Sequence, residues 1–226
     1  DGKSGLEVVK ILEEIYMLYI LTYNAPHRKT QDLLFKLKIK GYDDVKVLAT
    51  PWVERKNFTP LIPHRKFDAL DIDPKNFCNK LGYEFLDIEV SDISDFKDGY
   101  ILIGGSGILP KSIISSRRVI NSHPAYLPYV RGLDSLKWAI YYNKPIGVTT
   151  HIVSKECDAG KLIRQELVPL YSWDTFHSVA YRQYELEIDM LAESIQDIKT
   201  SKLEELSIIE SEPMRRMPHS KEMELL

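Results

Sequence analysis

Three side chains in one stretch of the sequence have the types needed for acid–base chemistry. They are Asn121, His123 and Asp158, within VINSHPAYLPYVRGLDSLKWAIYYNKPIGVTTHIVSKECDAG, residues 119–160. An imidazole exchanges protons near pH 7, a carboxylate orients it, and a neutral amide donates hydrogen bonds. Asn121 and His123 are two apart, so in an extended segment both face one reacting atom. They are expected just past the end of a strand that begins at Val119. Asp158 lies in Glu156-Cys157-Asp158-Ala159-Gly160, where Asp-x-Gly also suits an ordinary turn. Local spacing does not bring it to His123. His151 sits inside a β-rich run and is kept as a supporting residue. His64 and His177 are placed outside the site. The histidines lack partners at metal-ligand spacing, so no metal is predicted.

These groups need a scaffold, and the chain is long enough to supply one. Its 226 residues are 44% hydrophobic and 28% charged, which suits one sizeable core. A net charge of −3 argues against a nucleic-acid binder. Cys78 and Cys157 are far apart and read as free thiols in a reducing compartment. No apolar run approaches the ~20 residues that span a bilayer, and no signal-peptide pattern opens the chain. A cytoplasmic protein without a membrane partner is expected.

The order of elements predicts the architecture. Residues 1–15 suggest a short amphipathic helix. Residues 16–23, YMLYILTY, are continuously apolar, the pattern of a strand buried on both faces. A helix over 31–40 stops at Gly41, and 44–50 is a second buried strand. Residues 51–72 carry Pro51, Pro60 and Pro63 and read as a long loop, of a kind that is often functional. Asp73-Pro74 caps and starts a helix to about Leu81. Strands follow over 83–90 and 100–103, a short helix over 110–115, a strand over 119–121 and a helix over 132–142 with Leu133, Leu136 and Ile140 on one face. Antiparallel strands are expected over 147–153 and 161–170. Asp174 is expected to cap a long amphipathic helix to about Ile198. This is an α/β fold, Rossmann-like, with a mostly parallel sheet, helices on both faces and antiparallel strands at one end. Loops 24–30, 104–110 and 121–131 fall at strand ends and should converge on one cleft.

Two of those loops have chemistry of their own. After the first strand stand Asn24, His27, Arg28 and Lys29, with no GxGxxG, so NAD and FAD are disfavoured. Basic residues at a helix start suggest a grip on an anionic substrate. From Ala25 to Lys66 there are ten basic and four acidic residues. Gly104-Gly105-Ser106-Gly107 lacks GxxxxGK[ST], which disfavours a nucleoside triphosphatase. Its glycines instead permit close backbone approach to a flat ligand or a tight turn.

The series NSHPAYLP, then RG and WAI, GVTTH and DAGKLI, over roughly residues 100–165, resembles the folate-dependent formyltransferases. The resemblance implies a catalytic triad of Asn121, His123 and Asp158. It implies N10-formyltetrahydrofolate as formyl donor, tetrahydrofolate as product, and a primary amine as acceptor. The folate is expected against 104–110 and 154–158, at Gly105, Gly107, Ile108, Leu109, Cys157 and Asp158. A catalytic domain over 1–200 would be followed by a short extension, 201–226, that is not an independent domain. The loop after the first strand departs from the Gly/Ser-rich phosphate loop of enzymes acting on glycinamide ribonucleotide. The residues after the long helix are few and not basic, unlike the RNA-binding domain of enzymes acting on methionyl-tRNA. What remains looks most like N-formyltransferases of nucleotide-linked amino sugars, with Tyr126, Tyr129 or Trp52 stacking on a base or sugar beside Asn24, His27, Arg28 and Lys29. A phosphoribosylglycinamide formyltransferase and a non-catalytic folate-binding module are the alternatives. A homodimer is expected from the resemblance.

Overall fold

A computed structural model describes residues 17–54, 58–63, 68–116, 118–156, 158–200, 202–206 and 212–226. The helix expected over 1–15, and Cys157, lie outside these. The strands are β1 (Met17–Tyr23), β2 (Val45–Thr50), β3 (Glu84–Asp87), β4 (Gly99–Ile103), β5 (Arg118–His123), β6 (Gly147–Val153), β7 (Gly160–Leu167) and β8 (Glu204–Glu205). The helices are α1 (Arg28–Ile39), α2 (Pro74–Leu81), α3 (Lys111–Ser116), α4 (Ser135–Tyr141), α5 (Phe176–Thr200) and α6 (His219–Met223). No described helix is long and apolar enough to cross a membrane.

One eight-stranded sheet runs β3-β2-β1-β4-β5-β6-β7-β8. The first five in that order are parallel, and β6, β7 and β8 join antiparallel. The α/β expectation therefore holds, including the antiparallel end. Alternation along β1 explains its unbroken apolar run. Leu18 and Ile20 pack with Leu33, Leu37 and Leu191 on one face, while Tyr19 and Leu21 pack with Ile93, Ile113 and Val119 on the other.

Several boundaries differ from expectation. β3 stops at Asp87 because Glu89 and Asp92 form a reciprocal capping box that starts a 3-10 helix, Val90–Asp95. β5 runs on through His123 because β6 pairs with it, Asn121 opposite His151 and His123 opposite Thr149. The two residues thus end the strand rather than follow it. α4 begins only at Ser135, and its buried side carries Leu136, Lys137 and Ala139, while Leu133 and Ile140 are exposed. Thr175, not Asp174, caps α5: its Oγ1 accepts from the Ser178 amide at 3.2 Å. Asp174 accepts instead from the Tyr171 amide and Arg182.

The chain after α5 returns to the body of the domain. Met214 bridges Gly132, Trp138 Nε1 donates to the Arg215 carbonyl at 2.8 Å, and the Met217 amide donates to Asp134 at 2.9 Å. Glu222 then accepts from Lys137 Nζ at 2.5 Å and from the Leu61 amide at 2.9 Å. Residues 212–226 form a strap over α4 that also pins part of the long 51–72 loop.

Candidate active site

β1 leads outward to β2 and β3, and β4 returns on its other side, so the sheet reverses direction of growth between β1 and β4. Ligands bind at such a switch, beyond the carboxyl ends of the strands. A cavity of about 270 Å³ lies there. Tyr23, His27 and Lys29 line it from the β1 side, Gly104, Gly105 and Ser106 from β4, Asn121 and His123 from β5, and Trp52 and Glu187 close it. The three loops therefore converge as expected.

Asn121 and His123 share a face because β5 is extended through both. His123 is buried, and its Nδ1 lies 3.3 Å from Asp158 Oδ1. Long-range folding supplies what local spacing does not: β6 and β7 bring Asp158, just ahead of β7, against the last residue of β5. Asp158 adopts φ +48, in the left-handed region that aspartate tolerates. Its Oδ2 accepts the Gly132 amide at 2.6 Å. With Nδ1 turned to the carboxylate, His123 Nε2 is buried with no hydrogen-bond partner among the described residues. A second cavity, of about 440 Å³, also reaches His123. The imidazole stands where the two cavities meet.

His151 supports the site from β6. A register shift between Thr150 and His151 re-aims its side chain. Its Nδ1 lies 3.0 Å from the Ala159 carbonyl. Burial pushes the imidazole down to about 4, the neighbouring His123 adds to this, and Asp158 opposes it. His151 is therefore neutral at pH 7 and adds no charge beside His123.

The first loop is built differently from its expected cationic grip. α1 starts at Arg28, three residues early, so Lys29, Thr30 and Gln31 turn inward. Arg28 is paired with Asp32 at 2.7 Å. Lys29 Nζ, buried, lies 2.6 Å from Glu187 Oε1 on α5. Asn24 points away and donates to Asp87 at 2.8 Å. His27 faces the cavity, and a Cβ on Gly105 would come within 2.7 Å of its ring, so the glycine is required by the approach of the imidazole. Trp52 packs edge-on against Tyr23 at 4.8 Å. Tyr126 stacks on Tyr129 and lies against Gly147, on a wall of neither cavity. Ile108 is fully exposed and Leu109 packs onto the core. A Cβ on Gly107 would meet only Val53, at 3.8 Å.

Sequence reasoning missed Glu187 and Gly132. Glu187 left one signal, a carboxylate on the buried face of an amphipathic helix between Tyr184 and Ile188. Gly132 left none beyond its type.

Comparison with known proteins bears on this geometry. The formyl transferase family profile matches residues 91–195. A dTDP-4-amino-4,6-dideoxyglucose formyltransferase of Mycobacterium bovis is 31% identical over 90 residues, 40% of this chain and 38% of that protein. A methionyl-tRNA formyltransferase of Thermotoga maritima is 27% identical over 76% of this chain and 56% of its own length. The chain thus spans less than two thirds of these relatives. The N-formyltransferase of Helicobacter canadensis, solved with folinic acid and dTDP-3-aminofucose, superposes with a TM-score of 0.63 at 18% identity, over 89% of this chain and 71% of that one. Residues 91–195 are thus similar in sequence to the formyl transferase family, and the chain has the fold of the solved N-formyltransferases.

Proposed function

We propose that this protein transfers a formyl group from N10-formyltetrahydrofolate to the primary amine of a nucleotide-linked amino sugar. The observation that carries the reading is the buried, unpartnered His123 Nε2 at the meeting of two cavities, with Nδ1 on Asp158. An enzyme joining two substrates needs its acid–base group at such a junction. The names of the mycobacterial relative and the Helicobacter neighbour point to the same acceptor class.

N10-formyltetrahydrofolate, when bound, supplies the formyl carbon. Residues 104–110 and the segment before β7 that carries Asp158 would hold it. The glycines at 104 and 105 line the smaller cavity with backbone alone, which permits close approach of a flat ligand. Asp158 orients His123 so that Nε2 faces the cavity. Nε2 accepts the proton that the attacking amine sheds, and the resulting imidazolium stays opposite the carboxylate. The imidazolium and the Asn121 amide then face the negative charge that develops on the formyl oxygen. As the bond between the formyl carbon and N10 breaks, His123 Nε2 gives its proton to N10, tetrahydrofolate leaves and the imidazole is neutral again. No covalent bond to the protein is required.

The test is formyl transfer from N10-formyltetrahydrofolate to dTDP-4-amino-4,6-dideoxyglucose, with glycinamide ribonucleotide as the competing acceptor. Turnover of the sugar nucleotide, lost in His123→Ala while folate binding persists, is the expected result. Transfer only to glycinamide ribonucleotide, or undiminished turnover in His123→Ala, overturns the reading. A homodimer in the cytoplasm belongs to the same proposal, and light scattering checks the dimer.

A further inference from the structure

The larger cavity at His123 lies on the far side from His27 and Trp52. Pro60 and Pro63 of the long loop, Leu133, Tyr184 and Arg216 form its walls. At the His123 end, Glu187 is held by Lys29; at the strap end, Asp134 accepts from the Met217 amide and lies 3.9 Å from Lys137 Nζ. At the strap end stands Arg216, exposed, with its guanidinium 5.5 Å from the centre of the Phe58 ring. Among the described residues it makes no ion pair. The smaller cavity differs. Lys29 on its wall is already paired with a carboxylate, as is its neighbour Arg28.

We infer that the larger cavity is the subsite for the nucleoside diphosphate end of the acceptor, with Arg216 gripping the phosphates. The inference rests on the proposed acceptor class. An amine delivered to His123 must leave the rest of its molecule in a space continuous with that residue. A cavity of about 440 Å³ suits so bulky a remainder. A guanidinium stacked on an aromatic ring keeps its fork of donors free for phosphate oxygens. The strap fixes Arg216 from both sides, through the Arg215 carbonyl on Trp138 and the Met217 amide on Asp134. The grip is therefore preorganised, which favours affinity. The basic residues after β1, which the sequence offers first for this role, are replaced in it by one that stands far along the chain.

The experiment uses the full chain. Calorimetric titration with dTDP is run on the wild type, Arg216→Ala, Arg216→Lys and the neighbouring control Arg215→Ala. Arg216→Ala is expected to weaken dTDP at least tenfold, Arg216→Lys less, and Arg215→Ala within twofold of wild type. In transfer assays Arg216→Ala should raise KM for the sugar nucleotide tenfold with kcat within twofold and KM for the folate unchanged. Equal dTDP affinity in wild type and Arg216→Ala, or no binding to wild type, overturns the subsite. If wild type binds dTDP through Arg216 yet formylates no amino sugar nucleotide, the subsite stands and the proposed function falls. If it formylates one with KM indifferent to Arg216, the function stands and the subsite falls.

Discussion

The Gly132 amide donates to Asp158 Oδ2 at 2.6 Å, while Oδ1 of the same carboxylate faces His123 Nδ1 at 3.3 Å. One carboxylate is thus clamped on one oxygen and faces the imidazole with the other. Asp158→Asn keeps the shape but removes the charge opposite the imidazolium. It is expected to lower kcat by roughly 10²- to 10⁴-fold, in the range for removing acid–base assistance, with little change in Tm. Steady-state kinetics beside a melting curve checks this; a kcat within threefold of wild type rules out the assigned role.

Gly105 lies against His27, and Tyr23 lies behind it. Gly105→Ala would place a methyl 2.7 Å from the His27 ring and 3.1 Å from Tyr23. The ring must move, and overpacking of this kind costs about 1–3 kcal/mol. Because the movement is into the smaller cavity, ligand affinity should fall with stability. The paired readouts are the urea midpoint and the Kd for a stable folate analogue.

Lys137 and Glu222 are a fully buried pair at 2.5 Å. Burial alone would raise the Glu222 carboxyl; the Lys137 hydrogen bond and the Leu61 amide outweigh it and hold the group below its usual range. Removing one partner strands a charge. Lys137→Met should cost about 3–5 kcal/mol, whereas Lys137→Met combined with Glu222→Leu should recover much of that loss. Urea unfolding of both variants decides it: a double variant no better than the single contradicts the pairing.

His151 makes stability depend on pH. Its folded pKa, about 4, lies below the ordinary 6.5, so the unfolded chain binds the extra proton between those values. The neutral buried state is fully favoured above pH 6.5 and is progressively lost as pH falls toward 4. The shift corresponds to about 3 kcal/mol over that window. Denaturant unfolding at pH 7 and pH 4.5 should show the loss, and His151→Gln should flatten the difference between the two.

Much of this was written locally. β1, β2 and β4 are buried on both faces, so their runs are continuously apolar and easy to read. The spacing of Asn121 and His123 announced a shared face because strand periodicity is two. The end of β3 was hidden, since Ile88 and Val90 beyond it continue the apolar alternation and still pack onto the core. The length of β5 was hidden because its last residues pair with β6, far along the chain. Lys29 shows the limit most plainly. A cation at a helix start reads as open to solvent or substrate until α5 delivers Glu187 against it.

The bridge between Gly132 and Met214 has a consequence for the order in which the molecule becomes competent. During synthesis, β1 to β7 and the long helix are complete before residue 214 leaves the ribosome. The sheet can close while the loop that orients Asp158 still lacks its strap. A segment translated after the whole of the sheet's parallel half thus completes the surroundings of Gly132.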